Sequence, residues 1–159
     1  MKIRTDFVTN SSSSSFILAF KNEANIADEL LKGFDDESMR DFPTVYYDVK
    51  KAEKLTQEQV IEEIKEYYSW EIEYSLYSRY TNEQRLKGLP AIKRSEWIET
   101  SEAKAMIEEK MKEVIKNAKA KMKGKKLLVE VEYSDHEHSM LEHEVMPRME
   151  NLVISFNNH

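Results

Sequence analysis

Between Lys125 and His159 an alternating apolar run breaks into a polar elbow and then resumes, which restricts the chain to folds that bury two strand-like segments around a water-facing bend. Leu127, Val129, Val131 and Tyr133 fall on one side of a pleated strand, because successive side chains point to opposite faces. Asp135, His136, Glu137, His138, Glu142 and His143 fill the elbow, and Leu152, Ile154 and Phe156 lead on to His159. All 4 histidines of the chain lie in this stretch. If the two runs pair as a hairpin, His159 folds back toward the elbow and imidazoles and carboxylates meet in one place.

Composition sets the outer limits. A chain of 159 residues suits a single domain, 1–159, although 40% hydrophobic against 34% charged residues leaves a modest core. With no cysteine there is no disulfide scaffold, no thiolate nucleophile and no cysteine-bound zinc, so a metal would need imidazole, carboxylate or hydroxyl ligands. The apolar runs fall far short of the roughly twenty residues that span a bilayer, and Arg4 and Asp6 stand where a secretory signal would be apolar. The expectation is a soluble cytoplasmic protein with no membrane partner. A net charge of -6 disfavours wrapping by nucleic acid and leaves only a local basic patch for such a partner.

In chain order, Thr9 and Asn10 lead into five serines, Ser11 to Ser15, and then into the apolar strand candidate Phe16–Phe20. A serine run is commonly a flexible linker or a frayed end, since serine offers little burial to offset the entropy of ordering. The functional alternative is a polar, anion-holding loop made of Asn10, Ser11, Ser12, Ser13, Ser14 and Ser15, using hydroxyls and backbone N–H groups. Residues 25–34 read as a short helix with Ile26, Leu30 and Leu31 on one face, and residues 35–41 as an acidic loop. Residues 44–49, rich in β-branched and aromatic side chains, read as an edge strand.

Thr56-Gln57-Glu58-Gln59 is a capping box that opens a helix near 56–80, with Ile61, Ile64, Tyr68, Ile72 and Leu76 at helical spacing. Its extra aromatics, Tyr67, Trp70, Tyr74, Tyr77 and Tyr80, suit a wide buried face, and alternatively a surface that binds bases or a protein. A second helix near 101–123 carries Ala103, Ile107, Met111, Val114, Ala118 and Met122 inward and ends at Gly124 as a left-handed cap. Its exposed side turns from acidic to basic, with Lys116, Lys119, Lys121 and Lys123 late in the helix. That polarity complements the helix dipole, and it would also serve a phosphate-rich or acidic partner.

In the elbow, His136 and His138 share a face if the chain is extended, while Glu142 and His143 sit on a turn or short helix ahead of Pro147. Imidazoles beside carboxylates suit zinc, iron or manganese. The spacing matches no established metal motif, and a polar bend carries such residues for solubility alone. A serine nucleophile served by one of these histidines would be a further chemistry, without the Gly-x-Ser-x-Gly elbow.

Residues 4–17, Arg-Thr-Asp-Phe-Val-Thr-Asn followed by serines and Phe-Ile, resemble the opening of a loosely related set of small uncharacterised phage and bacterial proteins. Some of these also share a far end with an Asp after a strand, a Glu-His pair, a Pro and a terminal Ser-x-His or His-His. The matching positions are Asp135, Glu142, His143, Pro147, Ser155 and His159; Asn157-Asn158 before the last histidine and an elbow without glycine depart from the pattern. The resemblance implies a phage or mobile-element origin and a joint role for the two ends.

The expected fold is α+β: a small, mainly antiparallel sheet with strands near 16–20, 44–49, 125–134 and 151–157, covered on one face by two long helices near 56–80 and 101–123. The strand at 16–20 is expected beside the terminal hairpin, bringing the serines toward His143 or His159. The leading functional expectation is a hydrolytic centre with a divalent metal such as zinc on Asp135, His143 and His159 and with Glu142 as base. The alternative is a non-enzymatic protein that binds a host protein or nucleic acid through the lysine-rich or the tyrosine-rich helix.

Overall fold

The computed structural model describes residues 13–157. The fold is α+β, with a three-stranded antiparallel sheet and two long helices. Its contacts divide into two compact units, one holding the described residues up to Val60 together with Ala118 onward, the other Ile61–Asn117. Among the described residues no helix is long and apolar enough to cross a membrane.

The first unit contains the sheet, of strand order β2-β1-β3: β1 is Ser13–Phe20, β2 Leu127–Ser134 and β3 Leu152–Asn157. β1 runs antiparallel to both neighbours, so Ser14 lies opposite Tyr133 on one side and Asn157 on the other. One face is the alternating set Phe16, Leu18, Phe20, Leu127, Val129, Val131 and Tyr133, all buried in one cluster. The helices α1 (Ile26–Leu31) and α2 (Phe42–Lys51) add Ile26, Leu30, Val45 and Val49 to it, and Phe34, Leu141, Val145, Met146 and Met149 complete it. The pairing of β1 with β3 slips between Ile17 and Leu18, a bulge that puts Leu152 opposite Leu18 while Phe156 lies opposite Ser15. Beyond β2 the chain closes the edge with a Lys54–Val129 bridge and a hydrogen bond from Leu55 N–H to Leu128 O of 2.8 Å.

Four expectations require correction. Residues 44–49 are helix, not strand: Pro43 falls in the first turn of α2, where its missing N–H costs nothing, and Val45 and Val49 are one helical turn apart and both buried. The terminal hairpin does not exist, because β1 lies between β2 and β3, being buried along both faces as only a central strand is. Glu142 and His143 lie on a short helical turn as expected, but Asp135–Met140 is helical with a kink at His138 rather than extended, so the two-residue spacing of His136 and His138 does not place them on one face. The serine run, at Ser13–Ser15, is strand.

The long helices begin and end much as their end signals require. α3 (Gln57–Leu86) opens with the capping box, Gln59 N–H donating to Thr56 Oγ1 (3.1 Å) while Thr56 N–H donates to Gln59 Oε1 (2.8 Å). It continues past Tyr80 to Leu86, since no glycine or proline interrupts it before Gly88. α5 (Ser101–Met122) starts after Thr100, whose Oγ1 accepts from Ala103 N–H at 3.2 Å, and ends ahead of Gly124 at φ 76°. Val60, Ala118 and Met122 are buried members of the first unit.

Within the second unit, Ile64, Ile72, Trp97 and Ala103 are buried. Trp97, on the short α4 (Arg94–Trp97), lies against Tyr77 and Tyr80 at ring-centre distances of 5.5 and 5.8 Å. Trp70 and Tyr74 stack on each other at 5.1 Å and are more than half exposed, so the aromatic face of α3 is only partly a core face.

Candidate metal centre and its groove

The polar elbow is a succession of three short helical pieces. α6 (Asp135–Met140) is capped by Ser134, whose hydroxyl accepts from Glu137 N–H at 3.3 Å, and it breaks regular geometry at His138 (φ -139°, ψ 55°). A π-helical turn follows over Leu141–Val145, then a 3-10 turn over Met146–Arg148. A π turn widens the backbone by one residue and is frequently found at functional sites. Here Leu141 and Glu142 are both buried while the adjacent His143 is exposed.

Three side chains converge. His143 Nε2 is 3.0 Å from Asp135 Oδ1 and 3.7 Å from Glu142 Oε2. Asp135, Glu142 and His143 present ligand-type atoms all within 4.8 Å of one another, Glu142 buried and the other two about half exposed. Bonds of about 2.1 Å to one cation separate neighbouring ligand atoms by roughly 3.0–3.4 Å, so the 3.0 Å approach of His143 to Asp135 already matches a divalent ion, and the wider spacings to Glu142 would have to contract for it to bind the same ion. With Nε2 protonated the ring donates to Asp135 Oδ1 at 3.0 Å; with Nε2 bare, its lone pair is available as a metal ligand once the carboxylate turns aside.

The centre is tied to the first strand. Ser14 Oγ lies 2.9 Å from Glu142 Oε1 and 2.9 Å from Asn157 Oδ1. One hydroxyl proton serves one acceptor; the carboxylate is the stronger, and turning the Asn157 amide over lets its Nδ2 donate to Ser14. Ser15, on the opposite face of β1, directs its hydroxyl to Glu132 Oε2 at 3.2 Å. Among the described residues Ser14 bonds to no imidazole, so the serine–histidine nucleophile pair is not formed there.

A groove of about 470 Å³ opens beside the centre, with His143 in its wall together with Arg40, Asp41, His136, Met140 and Glu144. Its upstream wall is held by Arg148, whose guanidinium donates from Nε to Gly33 O (3.2 Å) and from Nη2 to Ser38 Oγ (3.3 Å) and faces Asp35 at 3.3 Å. The Asp35 carboxyl is held below the usual carboxylate range by the backbone N–H and then the hydroxyl of Ser38, with Arg148 adding to the effect. His138, also in the groove wall, meets the Tyr133 ring edge-on at 5.6 Å. The Tyr133 hydroxyl donates to Asp48 Oδ2 (3.0 Å), and burial followed by that neighbouring charge pushes the phenol far above its ordinary value.

Of the residues singled out from sequence, Ser14, Asp135, Glu142 and His143 are gathered here, and His136 stands on the groove wall. Ser13 is half-buried at the start of β1. Asn10, Ser11, Ser12 and His159 lie outside the described residues. Lys116, Lys119 and Lys121 on the last turns of α5, and Lys123 just after it, are exposed. Arg40, Asp41 and Glu144 had no sequence signal, whereas Asn157 interrupts the pattern before the final histidine and proves to face Ser14. No family model, curated protein or solved structure matches the chain.

Proposed function

We propose that this is a small cytoplasmic protein of phage or mobile-element type whose two ends build a hydrolytic centre around a divalent cation such as zinc. Asp135 and His143 hold the cation, His159 supplies a third ligand, and Glu142 accepts the proton of the attacking water. The bound cation lowers the pKa of that water and polarises the bond to be cleaved. The reading is carried by one observation, the approach of ligand-type atoms of Asp135, Glu142 and His143 to within 4.8 Å of one another, with His143 also on the wall of a groove. Ser14 supports it by fixing one oxygen of Glu142, leaving the other 3.7 Å from His143 Nε2. Elemental analysis of untagged protein after exposure to zinc and dialysis should find one equivalent per chain, lost in His143→Ala and in Asp135→Ala. Retained metal in both variants, or none in the parent, would contradict the reading.

A second reading, a non-enzymatic protein that binds a host protein or nucleic acid through α3 or the lysines of α5, is favoured by the exposed Trp70–Tyr74 stack. Exposed aromatic pairs of this kind anchor protein interfaces and also stack on bases. Under this reading Trp70→Ala with Tyr74→Ala abolishes partner capture from host extract while zinc uptake remains absent.

A further inference from the structure

The turn that follows α3 is cationic, fastened to its own helix, and tipped with hydrocarbon. From Arg85 to Arg94 the sequence reads Arg-Leu-Lys-Gly-Leu-Pro-Ala-Ile-Lys-Arg, four cations and no acid in a chain of net charge -6. α3 ends in a Schellman motif: Leu89 N–H donates to Gln84 O at 2.9 Å, Gly88 N–H to Arg85 O at 3.1 Å, and Gly88 takes φ 67°. In that motif the residue after the glycine commonly folds an apolar side chain onto the helix. Here the facing helical position is Gln84, whose Nε2 donates to Pro90 O at 3.1 Å. Leu89 is left 53% exposed, Leu86 85% and Ile92 39%.

Exposure on this scale would be unremarkable in a slack loop. This turn, however, is fastened twice more: Tyr77 OH donates to Ile92 O at 2.8 Å, and Ile92 N–H donates to Tyr80 OH at 3.3 Å. Side chains of α3 thus satisfy Pro90 O, Ile92 N–H and Ile92 O, while three apolar side chains are turned outward. Backbone groups bonded in this way enter an apolar medium without being left unpaired. Flanking lysines and arginines meet anionic headgroups, and adjacent leucines enter the acyl boundary.

We propose that the Arg85–Arg94 turn seats on an anionic lipid surface, with Leu86, Leu89 and Ile92 inserted and Arg85, Lys87 and Lys93 at the headgroup phosphates. Charge complementarity selects the surface. Leu86 at the end of α3 and Leu89 and Ile92 in the turn after it are exposed beside these cations, the combination by which a peripheral segment enters the acyl boundary. The contact is peripheral and independent of the metal centre.

Co-sedimentation of the full chain with extruded vesicles tests it, using phosphatidylcholine alone or phosphatidylcholine mixed with phosphatidylglycerol. The protein should pellet with the mixed vesicles only, and the bound fraction should fall as salt is raised. Leu86→Asp with Leu89→Asp should weaken partition by roughly tenfold or more, and Lys87→Glu with Lys93→Glu should also weaken it, all with unchanged circular dichroism. Failure to bind the anionic vesicles overturns the proposal, as does binding that survives the leucine substitutions. Self-association or capture of an acidic protein, lost in the leucine variant without any vesicle binding, assigns the turn to that partner and likewise overturns it.

Discussion

Ser14 Oγ and Glu142 Oε1 are 2.9 Å apart although 128 positions separate them in sequence, so the central strand and the π turn meet at one buried hydrogen bond. Replacing Ser14 with alanine removes a donor from a buried carboxylate, which costs about 1–3 kcal/mol. Ser13→Ala, at the half-buried start of the strand, should stay within about 0.5 kcal/mol of the parent. Urea denaturation of the two variants checks this, and equal stabilities would mean that the Ser14 contact contributes nothing.

Gly124 closes α5 at φ 76°, a conformation in which a Cβ is strained although nothing crowds the position. Gly124→Ala should therefore lower stability by about 1 kcal/mol, with Gly124→Asn losing less. Thermal melts of both measure it. No change in Gly124→Ala would mean that the helix end relaxes out of the left-handed region.

How much of this was legible in sequence varies with the range of the interactions. The capping box at Thr56, the cap at Gly124 and the alternation of Leu127, Val129, Val131 and Tyr133 are local patterns, and each takes the expected form. In residues 44–49 β-branched and aromatic content points to a strand, while the four-residue spacing of Val45 and Val49 and the Pro43 start favour the helix that forms. The strand order was not legible either: two apolar runs joined by an elbow look like a hairpin, and only the burial of β1 on both faces makes it the centre. Asp135, Glu142 and His143 are near neighbours in sequence and could be proposed together, whereas Arg40 joins the groove lined by His143 through tertiary packing that no spacing announces.

Arg148 pins the turn that carries the upstream groove wall, bonding Gly33 O and Ser38 Oγ and pairing with Asp35. Arg148→Ala should cost about 1 kcal/mol and speed amide exchange over residues 33–41 more than in β1. Hydrogen exchange read by mass spectrometry distinguishes this from a uniform loss of protection, which would point to global destabilisation instead.

Alkali should unfold the chain partly through Tyr68, whose phenol is pushed up to about 12, chiefly by burial and then by Tyr67 and Glu71. A raised folded-state value favours the neutral phenol, so its contribution is complete below the unfolded value of about 10 and is lost as pH rises from there toward about 12. Tyr68→Phe should flatten the decline of stability across that window. An unchanged slope in denaturant midpoints against pH would remove Tyr68 as its source.

The central claim is that Asp135 and His143 hold one cation beside Glu142, and its most direct test is a zinc titration followed through the imidazole nitrogen resonances of the labelled protein. The His143 Nε2 signal should move to its metal-bound position by one equivalent, and the same titration of Asp135→Ala should leave it in place. A His143 signal unmoved by excess zinc in the parent protein would contradict the claim.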